Sequence, residues 1–176
     1  ELPMKLYIAG PDVFRPDAAQ WADHARRLCR QAGHEALIPL DGVETTAAGI
    51  YHANIGLIRA ADAVLANLNP FRGCEPDSGT CVEVGFALAL GKPVIGYLEG
   101  TETTVERVRR VQGGVVVGTD GRPLDHQGLH IEDFGLPLNL MLAVPVRLVV
   151  GGLPAALAAL APAGMPGLDQ SSSVSA

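Results

Sequence analysis

The run NPFRGCEPDSGTCVE, Asn69 to Glu83, concentrates side chains that can do chemistry: Arg72, Glu75, Asp77, Ser78 and Thr80 all precede Glu83. A second run, AGPDVF from Ala9 to Phe14, brings Gly10, Asp12 and Phe14. Several carboxyl groups around one pocket suit the breaking of an N-glycosidic bond. The anomeric carbon and ring oxygen gain positive charge while the departing base gains negative charge. A carboxylate below the sugar can stabilise or trap the cation, and a protonated group above can neutralise the base. In retaining O-glycosidases the two carboxyls stand about 5 to 5.5 Å apart, a constraint that a base leaving group relaxes.

Both runs follow segments that read as strands. Lys5 to Ala9 (KLYIA), Glu35 to Ile38, Asp62 to Leu68 (DAVLANL) and Pro93 to Leu98 (PVIGYL) are short β-rich runs ended by turn residues. Between them, Asp17 to Ala32, Ile50 to Ala61 and Thr80 to Leu90 carry apolar residues at helical spacing. Asp62 to Leu68 is apolar nearly throughout, as a strand covered on both faces should be. Alternation of this kind predicts an α/β, doubly wound, flavodoxin-like sheet of about five parallel strands with helices on both faces. Ligands then bind outside the carboxyl ends of the strands, where strand order reverses. The two functional runs fall there, with Glu83 expected on the first turn of its helix. Beyond Val111 the glycines weaken the pattern, leaving a short strand at Val115 to Val117 and a helix near Leu138 that Pro145 kinks or divides.

Composition narrows the partners. The chain of 176 residues fits one domain, expected over 4–160, with 161–176 an Ala, Pro, Gly and Ser-rich tail and Glu1 to Pro3 a remnant ahead of Met4. A net charge of -6 with scattered Lys and Arg lacks the basic stripe a nucleic-acid polymer requires. Leu136 to Leu153 is the longest apolar stretch, but its prolines, Asn139, Arg147 and paired glycines make it no membrane span. No secretory signal is visible, and Cys29, Cys74 and Cys81 fit neither a disulfide framework nor a CxxC site; both features point to a reducing cytoplasm. His126 and His130 have metal-ligand spacing, but Gly128 argues against a helix between them, so no metal is expected. Gly91-Lys92-Pro93 lacks the rest of a P-loop and no G-x-G-x-x-G occurs, so no nucleotide cofactor is expected either.

Three blocks in order, YIAGPDVF, ADAVLANLNPFRGCEPDSGTCVEVGFALALGKPV and EDFGLPLNLML, resemble the nucleoside 2'-deoxyribosyltransferases, particularly the longer branch with PFRG followed by EPDSGT. The resemblance implies that Glu83 is the nucleophile and that Tyr7 positions it. It implies that Asp62 and Asp77 contact base and sugar, and that Asn139 reaches a neighbouring subunit's site to bind the sugar with Met141 closing the pocket. Gly10 and Phe14 of the AGPDVF block fall at the same substrate edge. A ping-pong reaction follows: Glu83 displaces one base, holds deoxyribose as an ester, and a second free nucleobase attacks from the original face. A homo-oligomer without a cofactor is implied. Family members that use a C-terminal tyrosine differ from this chain, which has no aromatic residue after Phe134.

Each of these residues also has a plainer role. Thr80-Cys-Val-Glu83 fits a capping box, Asp77 with Ser78 fits a helix cap, and Asp62 fits a strand start. Tyr7 and Met141 fit a core, and Arg72 fits a loop ion pair with Glu75 or Asp77. Asn139, polar within LPLNLMLAV, needs a buried partner or an interface. Two rival functions remain beside transfer. One is a hydrolase of deoxynucleoside or deoxynucleotide N-glycosidic bonds. The other is a non-enzymatic flavodoxin-like nucleotide or flavin-binding module, whose phosphate Asp12 would repel.

Overall fold

The structure, a computed structural model, describes residues 2–39 and 42–160. Its elements run β1 (Lys5–Ala9), α1 (Ala18–Gln31), β2 (Glu35–Leu37), α2 (Ala47–Ala60), β3 (Ala63–Asn67), α3 (Ser78–Ala89), β4 (Val94–Leu98), α4 (Thr104–Gln112), β5 (Val116–Val117), β6 (Pro123–Leu124), α5 (Leu140–Ala143), β7 (Arg147–Val150) and α6 (Leu153–Ala158). Five strands form one parallel sheet in the order β2-β1-β3-β4-β7, and β5 pairs antiparallel with β6 apart from it. The expected tail, 161–176, lies outside the described residues.

Strand alternation sends successive side chains to opposite faces, and two cores result. Leu6, Ile8, Ala63, Leu65, Ile95 and Tyr97 pack with α1 and α6. Tyr7, Ala9, Val64, Ala66, Val94 and Leu98 pack with α2 and α3. Helix α1 buries Ala22, Ala25 and Cys29, a stripe at i, i+3 and i+7, and stops before Gly33 at φ +85°. Thr46 starts α2 by accepting from Gly49 N.

The fifth strand corrects a sequence expectation. The helix near Leu138 is only the four residues of α5, and the segment after Pro145 is β7 rather than more helix. Pro145 ends the turn because it has no N–H to donate, and Val146, Leu148, Val149 and Val150 then favour extended backbone beside β4. Helix α4 was not anticipated, although Thr103 and Glu106 satisfy each other's backbone amides as a capping box, a signal written in TxxE. Among the described residues no helix is long and apolar enough to cross a membrane.

Candidate active site

Strand order reverses at β1, whose neighbours are β2 on one side and β3 on the other. The chain leaves β1 through Gly10 at φ +153°, a conformation L side chains rarely adopt, and a Cβ there would stand 2.7 Å from Asn67 Cβ. A 3-10 turn over Pro11–Phe14 follows. Asn67 Nδ2 donates to Asp12 Oδ2 at 2.9 Å, Asn69 donates twice to Asn67 Oδ1, and Glu99 N donates to Asn69 Oδ1. These bonds tie together the carboxyl ends of β1, β3 and β4.

On the α2–α3 side of this edge is a cavity of about 620 Å³. Gly10, Val13, Phe14, Glu44, Ile50, Asn54, Arg72, Asp77, Ser78, Gly79 and Glu83 line it. Asp77 caps α3, its Oδ2 accepting from both Thr80 N and Thr80 Oγ1 at 2.9 Å. With the cap at Asp77, Glu83 sits on the second turn of α3 rather than the first, and the Thr80 to Glu83 capping box does not form. The carboxyl group of Glu83 instead faces the Tyr7 phenol, which β1 buries completely.

Burial pushes the Glu83 carboxyl up to about 7. The Asp77 charge adds to the rise and the Tyr7 hydroxyl opposes it. The helix start therefore does not keep Glu83 strongly acidic: two turns in, desolvation outweighs the dipole. Tyr7 is held far above the ordinary phenol range, first by burial and then by the Glu83 charge. The two groups influence each other but are not closed into a hydrogen bond of ordinary geometry, since Tyr7 Oη and Glu83 Oε2 are each buried without a partner. Catalytic contacts of this kind commonly tighten only in the reacting complex.

Gly10, Phe14, Asp77 and Glu83 thus share one cavity with Tyr7 beneath it. Asp62 does not join them. It precedes β3 at the opposite end of the sheet, is exposed, and accepts from Lys5 N at 2.7 Å. Five strand residues at about 3.3 Å each separate it from the ligand-facing edge. Asn139 and Met141 also lie outside this cavity. Asn139 caps α5, donates to Glu132 Oε1 at 2.6 Å and borders a separate cavity of about 380 Å³. Met141 is 73% exposed, so it is not core in this protomer.

Arg72 forms no ion pair with Glu75 or Asp77; its guanidinium lies over the Phe14 and Phe71 rings. Two lining residues went unread in the sequence, Asn54 and Glu44. Asn54 Oδ1 is buried without a partner on the cavity wall. A polar residue inside the apolar helix IYHANIGLI is the same signal that drew attention to Asn139. His126 meets Gln112 and His130 meets Arg122 and Asp120, both in exposed loops. Among the described residues no group of three His, Cys, Asp or Glu is arranged for a metal ion.

Comparison with known proteins gives the family and the fold. A family model described as "Nucleoside 2-deoxyribosyltransferase" matches residues 6–141, more than half of the chain. A solved structure of a 2-desoxiribosyltransferase from Leishmania mexicana is similar at 38% identity and a TM-score of 0.75, over 90% of this chain and 97% of that one. An uncharacterized protein of Schizosaccharomyces pombe is 30% identical over 165 residues, 83% of this chain and 78% of its own. A conserved protein from Enterococcus faecalis V583, at 21% identity and a TM-score of 0.53 over 86% of this chain and 92% of that one, shares the fold.

Proposed function

From the premise that this chain belongs to the nucleoside 2-deoxyribosyltransferase family, we propose that it moves 2'-deoxyribose from one nucleobase to another through a covalent ester on Glu83. The observation that carries this reading is the Glu83 carboxyl: the residue lines the cavity, the Tyr7 phenol lies behind its buried Oε2, and no helix amide holds it. A carboxylate spent on helix amides is a poor nucleophile, and this one makes no such bond among the described residues.

In the first half-reaction a Glu83 oxygen bonds to C1' as the C1'–N bond breaks, its electron pair leaving with the base. In the second, an acceptor base attacks C1' and Glu83 leaves as carboxylate. Two inversions give net retention. Tyr7 holds the carboxylate and favours its ionised form. Asp77 uses Oδ2 as the cap of α3, which leaves Oδ1 for a sugar hydroxyl. Asn54, with both an acceptor and donors, suits the edge of a base. Phe14 provides an apolar wall and Gly10 the close approach.

The test is exchange. Incubated with one deoxynucleoside and a different free base, the protein should yield a new nucleoside. Free deoxyribose alone would replace this reading by hydrolysis, and neither product would reject both.

A homo-oligomer belongs to the same proposal. Helices α2 and α3 leave Ile50, Tyr51 and Val82 exposed, and Leu90 at the end of α3 is exposed beside them, an apolar surface that a second copy could cover. On this reading the exposed Met141 and the neighbouring Asn139 would meet another copy's cavity. Light scattering should return a multiple of the 18.3 kDa chain; a monomer at assay concentration would remove Asn139 from any shared site.

A further inference from the structure

The reaction has a second charge to manage, the one on the departing base, and Glu83 does nothing for it. Asn54, beside the nucleophile, is an amide and has no proton to transfer at ordinary pH. Among the described residues that line the cavity, Arg72 alone is a cation, set against the carboxyl groups of Glu44, Asp77 and Glu83.

Arg72 is held in an unusual way. It is the non-glycine residue at positive φ among the described residues, at +50°, in a conformation that costs about 1 kcal/mol or more and persists only where the surroundings enforce it. The enforcement is visible. Its guanidinium carbon stands 4.5 Å from the Phe71 ring centre and 5.1 Å from that of Phe14, and the two rings stack at 5.5 Å and 15°. Phe71 N donates to Glu75 O at 2.9 Å across the loop. From behind, Arg107, only 3% exposed, donates through Nε to Cys74 O at 2.6 Å.

A guanidinium held against aromatic rings spends none of its N–H donors on them. None of the Arg72 donors meets a carboxylate or carbonyl among the described residues, although acidic side chains flank it in sequence. A strained backbone, two aromatic rings and a buried tether hold a cation with unused donors in the cavity of the nucleophile.

Resting on the transfer reading above, we propose that Arg72 is a catalytic residue for departure of the base: its in-plane donors meet the base and carry the negative charge that develops as the C1'–N bond breaks. No proton is transferred by Arg72. The base leaves with the bonding electron pair, Glu83 takes its place on C1', and the base collects its proton from water afterwards. In the second half-reaction the acceptor base gives its N–H proton to water, and the same donors hold the resulting anion before it attacks C1' and Glu83 leaves as carboxylate. Preorganised donors aimed at developing charge need no rearrangement when that charge appears.

The experiment is a leaving-group series. For 2'-deoxynucleosides whose free bases differ in acidity through ring substituents, kcat/KM of the wild type should fall only shallowly as the base becomes less acidic. Arg72→Gln should steepen that dependence, losing about 30-fold or more with the least acidic base and under about 3-fold with the most acidic. Arg72→Lys, a point charge without the fork, should fall between. A uniform loss across the series would make Arg72 a binding residue only and overturn the proposal. A steepened dependence in Glu44→Gln with none in Arg72→Gln would assign the role to a carboxylic acid instead. Circular dichroism keeps misfolding separate from chemistry, and Arg72→Lys preserves the stacked cation if Arg72→Gln does not fold. Absence of exchange by the wild type counts against the transfer reading itself, which Glu83 decides independently of any Arg72 variant.

Discussion

Replacing Glu83 by glutamine should abolish base exchange, by at least about 10⁴-fold in kcat/KM, while making the folded protein more stable at neutral pH. The first effect follows from removing the proposed nucleophile, since an amide oxygen cannot form a displaceable ester with C1'. The second follows from the environment that makes the residue reactive. Burial raises the carboxyl from its ordinary 4.5 to about 7 in the folded chain. For an acid whose folded value lies above its unfolded value, the native state binds the proton more tightly. The stabilising contribution is therefore present below the unfolded value and is lost as pH rises from about 4.5 through about 7. Above that window the carboxylate is a net cost, on the order of 1 to 3 kcal/mol once discounted for partial exposure. Glutamine has nearly the same shape and no charge. Urea unfolding of the two proteins should coincide near pH 4, separate progressively between about 4.5 and 7, and stay separated above. An unaltered exchange rate, or a glutamine variant less stable at pH 8 than at pH 4 relative to the wild type, would remove Glu83 from the centre of the mechanism.

The second large effect concerns pH and Tyr7. Attack needs the ionised form of Glu83, so kcat/KM should rise with pH along a limb centred near 7, far above the ordinary carboxyl range. The Tyr7 hydroxyl lowers that value, opposing burial and Asp77. Tyr7→Phe removes the one opposing influence and leaves the other two. The acidic limb should move upward in pH, and activity at pH 7 should drop by roughly 10²-fold through the smaller ionised fraction and the lost orientation of the carboxylate. Stability should change little at acid pH, where Glu83 is protonated in both proteins, and should fall modestly above about pH 7, where the buried carboxylate has lost the phenol that favours its ionised form. A pH profile for Tyr7→Phe that superimposes on the wild type would show that the phenol does not act through Glu83.

The sheet was legible because its signals are local. Short β-rich runs ended by Gly or Pro, alternating with helical spacing, need no knowledge of what packs against them, and four of the five main strands were located this way. The fifth was not, because LPLNLMLAVPVRLVV is apolar enough for either structure, and only the open edge of β4 selects the extended form after Pro145. Helix α4 was locally written in its TxxE cap but sat among glycines that obscured it. The glycine at position 10 and the acid-rich run before Glu83 were readable as a ligand edge, since the strand that precedes each run fixes where its loop emerges.

Chain order by itself determined the layering, the edge at which ligands should gather, and which loop carries the chemical groups there. Tertiary structure alone decided which of those groups meet. Asp62 and Asn67 bracket one strand, yet only the latter reaches the carboxyl edge, because a strand is a rod and its two ends face opposite sides of the molecule. Asp77 took the cap of α3, which put Glu83 a turn further along and facing Tyr7, where desolvation raises its carboxyl to about 7. The meeting of Arg72 with Phe14 joins residues from two loops far apart in the chain. Periodicity reports the face on which a side chain lies; ionisation and contact depend on what other segments bring to that face, and that depends on packing in three dimensions.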